Sequence, residues 1–250
     1  MKKIILVLVV FGTTVSCHKK GCTDPQAINY NDKAKKDDRS CSYEYITDNT
    51  VKHGHITSDE TWTADNIYEL NGKVVVDNGV TLTIEQGTII KGKTGNGALA
   101  SALIIAKGGK INAVGTPSSP IIFTSTLDNI EKGQLTGSNL DENDGGMWGG
   151  VIILGNAPIS AGNGNTSSQI EGIPATDIFG AYGGSDELDN SGVFSYVSIR
   201  HGGALIGAGN EINGLTLGGV GSLTTISNIE IISSLDDGIE FFGGTVNISN

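Results

Sequence analysis

The sequence predicts an all-β fold built as a solenoid of parallel strands, and three observations carry that expectation. The first is composition: glycine supplies 37 of 250 residues, about twice the usual share of roughly 7%. Proline is only 5 residues and aromatics are 6%, so the glycines favour many tight turns between short strands over long helices. The second is repetition. "NGKVVVDNGVTLTIEQGTIIKG" (71–92) is echoed by "ALIIAKGGKINAVGTPSSPIIFTS" (102–125), and Val74, Val75 and Val76 fall on Leu103, Ile104 and Ile105 at an offset of 29. Gly79 then falls on Gly108 and Leu82 on Ile111. "NGLTLGG" at Asn213 returns as "DGIEFFGG" at Asp237, an offset of 24, and "FSYVSI" at Phe194 returns as "ISNIEI" at Ile226, an offset of 32. The third is texture: each repeat holds short runs in which Thr, Val and Ile alternate, the mark of strands with one buried face. One such coil cannot bury its inward side chains alone, whereas coils stacked about 4.8 Å apart cover one another. A β-sandwich would need antiparallel hairpins, and two-residue turn signals between matched strands are few.

Taken in order, the chain opens with "MKKIILVLVVFGTTVSC". Lys2 and Lys3 form a basic start, Ile4 to Phe11 an apolar stretch too short to span a bilayer, and small residues precede a cysteine, the pattern of an export signal. The stretch resembles a bacterial lipobox with Thr14 where Leu is usual. That resemblance implies cleavage and acylation at Cys17, a signal peptide over 1–17, and a lipid anchor as the link to the membrane. His18 follows the cysteine, so the Asp that retains lipoproteins in the inner membrane is absent and the outer membrane is the expected address. The net charge of -11 offers no basic face, which excludes nucleic acid as a partner.

Residues 18–45 form a second segment, "CTDPQAINYNDKAKKDDRSCSY" at its centre. An exported chain meets an oxidising compartment, so Cys22 and Cys41 are expected to form a disulfide. The segment is polar and has almost no core of its own, and closing that loop would stabilise it by roughly 3 kcal/mol. It resembles a short module that follows the signal in many secreted proteins of Bacteroidota, of pattern CTDPxAxNYNxxAxxDDGSCxY, with Arg39 where Gly is usual. Asp24, Asn31, Asp32, Asp37 and Asp38 are oxygen donors of the kind calcium takes. The competing reading is a stapled spacer with solvated acids.

The solenoid is expected over 46–250, its strand texture beginning near Thr57. "VKHGH" places His53 and His55 on one face if extended, half a metal site without a third ligand, and reads better as a solvated linker. "MWGGVIILGNAPI" (147–159) supplies a further strand, and "DNIEKGQLTGSNLDENDGG" (128–146) and "ISAGNGNTSSQIEGIPATDIFGAYGGSDELDN" (159–190) are long insertions between strands. Insertions in solenoids are where ligand contact is expected. Trp62 and Trp148 are read as packing plugs before sugar platforms. "GGVGS" and "GNGNTSS" lack the Lys and helix of a phosphate loop and read as turns.

"TWTADNIYELNGKVVVDNGVTLTIEQGTIIKG", "MWGGVIILGNAPI", "AYGGSDELDNSGVFSYVSIRHGG" and "GNEINGLTLGGVGSLTTISNIEIISSLDDGIEFFGGTVN" together resemble a set of Bacteroidota envelope lipoproteins. The resemblance implies a right-handed parallel β-helix similar to that of pectate lyases, and it carries no established reaction. Members continue beyond the point reached here, and "GTVNISN" reads as mid-strand, so the resemblance implies a solenoid truncated at the C-terminal end.

The candidate chemistry lies in "SSLDDGIEFFGG" (233–244) and "SIRHGG" (198–203). If Ile239 and Phe241 point inward, Asp236 and Glu240 point out on one strand face. Four strand steps then separate those carboxylates by roughly 13 Å, beyond the roughly 5–9.5 Å of glycosidase pairs. A corner reading instead stacks Asn213 on Asp237, each bonding turn amides. In a pectate-lyase-like mechanism Asp236, Asp237 and Glu240 would hold calcium, the one cofactor the acids suggest, while Arg200 acts as base beside His201. The expected function is an exported, lipid-anchored, non-catalytic surface scaffold that binds carbohydrate. The alternative is a calcium-dependent polysaccharide lyase or glycoside hydrolase.

Overall fold

The structure, a computed structural model, describes residues 19–25, 27–42, 49–173, 177–207 and 210–250. The chain divides into two compact units, Met1–Tyr45 and Ile46–Asn250. Cys17 and the rest of the signal lie outside the described residues.

In the first unit Lys20–Gly21 pairs in parallel with Lys36–Asp37, and the Cys22–Cys41 disulfide joins residues 19 apart with Cα atoms 4.7 Å apart. Among the described residues of this unit only Cys22 and Ala27 form a buried apolar centre, so side chains hold the loops instead. Asn29 accepts from the Ser42 amide at 2.8 Å, Asp37 from the Arg39 amide at 3.0 Å and Asp38 from the Ser40 amide at 3.0 Å. The hydroxyl and then the amide of Ser40 hold the Asp38 carboxyl below the ordinary carboxylate range. Arg39, where the module pattern has Gly, takes a φ of 63°, a left-handed conformation that glycine enters without steric cost.

The second unit is a parallel β-helix. A 14-stranded sheet winds through it, and its pairings resolve into three ladders, one on each face of a prism. The first face stacks residues 51–52, 67–70, 89–92, 121–125, 197–200 and 229–232. The second stacks 54–56, 73–76, 102–105, 151–154, 215–220 and 239–244. The third stacks 60–62, 81–84, 110–114, 192–195, 225–227 and 248–249. Every pairing in these ladders is parallel, and among the described strands the antiparallel pairs are Ser168–Gln169 with Ala181–Tyr182 and Leu205–Gly207 with Asn210–Glu211.

The repeat offsets read from the sequence are the registers of the fold. Val74 pairs Leu103, Leu82 pairs Ile111, Leu215 pairs Ile239 and Phe194 pairs Ile226. The helix starts earlier than the texture implied: Val51–Ile56 (VKHGHI) is a strand of the first coil, not a solvated linker. Gly54, at φ 63°, turns it from the first face onto the second, so His53 and His55 fall on either side of a corner and not on one extended face. In the strands Gly192–Arg200 and Thr225–Ile232 the corners between the third and first faces are single left-handed residues, Tyr196 (φ 50°) above Asn228 (φ 54°). Those after the first face are His201 (φ 59°) and Ser233 (φ 56°).

Inward side chains such as Leu82, Leu103, Ile121, Phe123 and Phe194 are fully buried in one continuous core. At roughly 1.5–3 kcal/mol for each large aliphatic or aromatic side chain buried, this stack is the main stabilising contribution. Both tryptophans are fully buried. Trp148 donates to the Arg200 carbonyl at 2.8 Å and stacks on Phe123 at 6.4 Å. Trp62 stacks on Tyr68 at 5.0 Å and donates to Glu60 at 2.9 Å. Both are plugs.

The two insertions each fold back over an outer face. Ile130 covers Ile89 and Ile122 outside the first face. Ile170, Ile173 and Tyr182 cover Val75, Ile104 and Ile152 outside the second. The third face keeps an exposed outer side, alternating exposed and buried along Lys110–Val114.

Candidate functional site

The run 233–244 divides into a turn and a strand. The strand starts at Ile239, so Asp236 and Asp237 belong to the turn before it and the four-step spacing assumed for Asp236 and Glu240 does not apply. Both aspartates are exposed and Glu240 is half-buried. Asn213 and Asp237 do stack, with the Gly214 amide donating to the Asp237 carbonyl at 3.0 Å. Their side chains do not bond turn amides as expected. The Asn213 amide donates to Glu240 at 2.7 Å and to Thr216 Oγ1 at 3.3 Å. Its carbonyl oxygen is the buried side-chain polar atom left without a partner among the described residues. Burying such an oxygen costs about 1–3 kcal/mol.

Calcium requires several oxygens converging at about 2.3–2.6 Å. Among the described residues no group of three or more His, Cys, Asp or Glu side chains is arranged to hold a metal ion. Glu240 is committed to Asn213 on the second face, so Asp236, Asp237 and Glu240 do not fit calcium as a set of three carboxylates.

Arg200 lies on the first face, opposite Ile232 of the next coil. Its residue is only 9% exposed. Nε donates to Ser198 Oγ at 2.8 Å and Nη1 to the Leu135 carbonyl at 2.8 Å. Nη2 stands 3.5 Å from Glu230, which also accepts from Ser198 Oγ at 2.6 Å. Arg200 thereby pins the 128–146 insertion to the first face, and its partners among the described residues do not include the acids of 236–240. His201 is 5% exposed and its Nδ1 lies 2.8 Å from the Asp144 carbonyl. The same loop carries Asp141, whose carboxyl is held below the ordinary range chiefly by the Asn143 amide, then by its side chain, with His201 adding less.

His55 lies 2.7 Å from Asp77 and packs on the Phe179 ring at 4.2 Å. With Asn49, Lys52, His53 and Glu60 it lines an open groove of about 210 Å³ at the first coil. Lys52, which sequence reading passed over, bonds Glu60 at 2.8 Å and lies over the rings of Trp62 and Tyr68 at 5.8 and 5.7 Å. Sequence reading also missed the outward row of the third face, Thr61, Thr83, Asn112, Val193 and Thr225, placed in register by the strand pairings. Its signal was present in "TWT", "TLT" and "TIS", but attention to the inward aliphatics obscures what alternates with them.

Comparison with curated proteins and with solved structures yields no significant match. The profile of the pectate-lyase-like beta helix domain matches residues 54–250, nearly the whole of the second unit. By that match and by its three parallel ladders, the chain belongs to the pectate-lyase-like beta helix domain family.

Proposed function

We propose that this protein is an exported, lipid-anchored β-helix of the outer membrane that serves as a non-catalytic surface scaffold and binds carbohydrate. The observation that carries the reading is the use made of Arg200. A base in a lyase must reach a substrate proton, within about 2.6–3.2 Å of heavy atoms. The guanidinium of Arg200 is instead spent on Ser198, the Leu135 carbonyl and Glu230, under the 128–146 insertion. His201 is likewise turned to the Asp144 carbonyl. Family membership supports a carbohydrate-related role, and the signal with its lipobox-like Cys17 supports the anchor.

The test incubates the full chain with immobilised acidic and neutral polysaccharides, in calcium and then in chelator. Ultraviolet absorbance of unsaturated uronate and release of reducing ends are followed in parallel. Retention without either product is expected. Product that disappears in Arg200→Ala, with folding retained, would install the alternative, a calcium-dependent lyase or a hydrolase. For the anchor, the wild type should partition into a detergent phase and Cys17→Ala into the aqueous phase; identical partitioning would remove the anchor.

A further inference from the structure

The three faces of the prism are unequal on their outer sides. The first is closed by Ile130 over Ile89 and Ile122, and the second by Ile170, Ile173 and Tyr182 over an apolar row. On the third face the outward positions fall in register from coil to coil: Thr61 on Thr83, Thr83 on Asn112, Asn112 on Val193 and Val193 on Thr225. Thr61, Asn112 and Thr225 are exposed, and Thr83 and Val193 are partly so. Their neighbour Val114 is 51% exposed. The hydroxyls of Thr61, Thr83 and Thr225 and the amide of Asn112 have no partner among the described residues, while their backbones are held rigid in the ladder.

We infer that this face binds a neutral polysaccharide chain laid along the helix axis, across the strands. The inference rests on the carbohydrate-binding reading above and adds the face and the class of ligand. Chemistry narrows the occupant. A nucleic acid needs a row of cations to neutralise phosphates, and Lys110 is the one basic side chain among the outward residues of 110–114. A protein partner is anchored by buried aromatic and Arg side chains, and this row has neither. A polyuronate would bring repeated carboxylates to a row without charge, beside the exposed Glu85 and Asp59. A neutral sugar polymer remains, because it presents hydroxyls at a regular repeat and every rung but Val193 offers a hydroxyl or amide at the roughly 4.8 Å strand spacing. Each hydrogen bond is weak on its own, and successive rungs on one polymer act by effective concentration.

The experiment is native affinity electrophoresis of the full chain through gels containing mixed-linkage β-glucan, xylan or galactomannan, with polygalacturonate as the charged probe. At least one neutral polymer should retard the wild type. The double variant Asn112→Ala, Thr225→Ala should weaken that retardation about tenfold, as expected for losing two modest hydrogen bonds. Thr61→Ala, at a separate rung, should weaken it by less, and Asp237→Asn should leave it unchanged. Circular dichroism and the urea midpoint check that each variant folds. Retardation untouched by the third-face variants would overturn the inference and leave carbohydrate binding standing. Retardation by polygalacturonate alone would overturn the choice of a neutral ligand. No retardation by any polymer would overturn both this inference and the reading it rests on.

Discussion

Arg39 and Arg200, the two arginines of the chain, show how far a single residue's meaning depends on backbone and neighbours. At Arg39 the sequence displays only a departure from a module pattern, and the structure supplies the physics: φ is 63°, where a side chain's Cβ crowds the following carbonyl by about 1–2 kcal/mol. Arg39→Gly removes that strain and adds unfolded-chain entropy of about 0.5–1 kcal/mol, so a net gain of up to about 1.5 kcal/mol in the first unit is expected. Amide exchange of residues 27–42 would measure it, and a loss of protection would mean that the arginine side chain contributes something its exposure conceals. Arg200 reads as a candidate base because a pectate-lyase-like mechanism pairs an arginine with calcium-binding acids, yet it is an outward side chain covered by an insertion that begins some seventy residues earlier. Arg200→Met keeps the apolar stem and removes the bonds to Ser198 and Leu135. It should cost about 1–3 kcal/mol in urea unfolding. Glu230→Gln should cost under about 0.5 kcal/mol, since the Glu230 side chain is 59% exposed and the pair is 3.5 Å apart.

At the scale of strands and turns, the inward rows were legible because identical chemistry recurs wherever coils stack. A shift of one residue turns the apolar side chains of an alternating strand outward, so TLTI at 81–84 carries its own register, whereas VVV and LII are apolar on both faces and are placed by the repeat offset. The insertions were not legible in that way. Residues 128–146 and 159–190 have no counterpart in neighbouring coils, so no periodicity tells which face they cover, and Ile130, Ile170 and Tyr182 read as ordinary loop apolars until they are seen on Ile122 and Leu154. Close approach between elements was equally hidden. Gly92 ends the strand Ile89–Gly92, and a Cβ there would stand 2.6 Å from Trp148 Cε3. The indole cannot withdraw, because it is fully buried and bonded to the Arg200 carbonyl. Gly92→Ala should therefore cost about 1–3 kcal/mol by overpacking, read from the urea midpoint with tryptophan fluorescence. A neutral result would mean that the coil spacing there yields more readily than a packed interior does.

Over the whole helix, stability should vary along the axis, because each coil gains its burial from the coils on either side. The first coil is closed from outside by polar and aromatic groups of its own. Lys52, its side chain 11% exposed, reaches Glu60 across Trp62 and Tyr68, so Trp62 and Ile56 are buried at the very start of the stack. In the coil that runs through 229–249 the inward Ile229, Ile231, Ile239 and Ile248 are only partly buried and Phe241 is 50% exposed. Local opening costs least where few apolar contacts are lost. In the chain of 250 residues, amide exchange should be slowest at 103–105, 121–125 and 151–154, faster at Val51–Ile56, and fastest at Ile239–Gly244 and Ile248–Ser249. Trp62→Ala removes the plug, a change that costs about 3–5 kcal/mol in a packed core. It should raise the exchange of Val51–Ile56 and Glu60–Trp62 to that of the last coil while leaving 151–154 unchanged. Equal loss of protection at every coil in that variant would show that the ladders open as one unit, and that neighbour-by-neighbour stacking does not govern this helix.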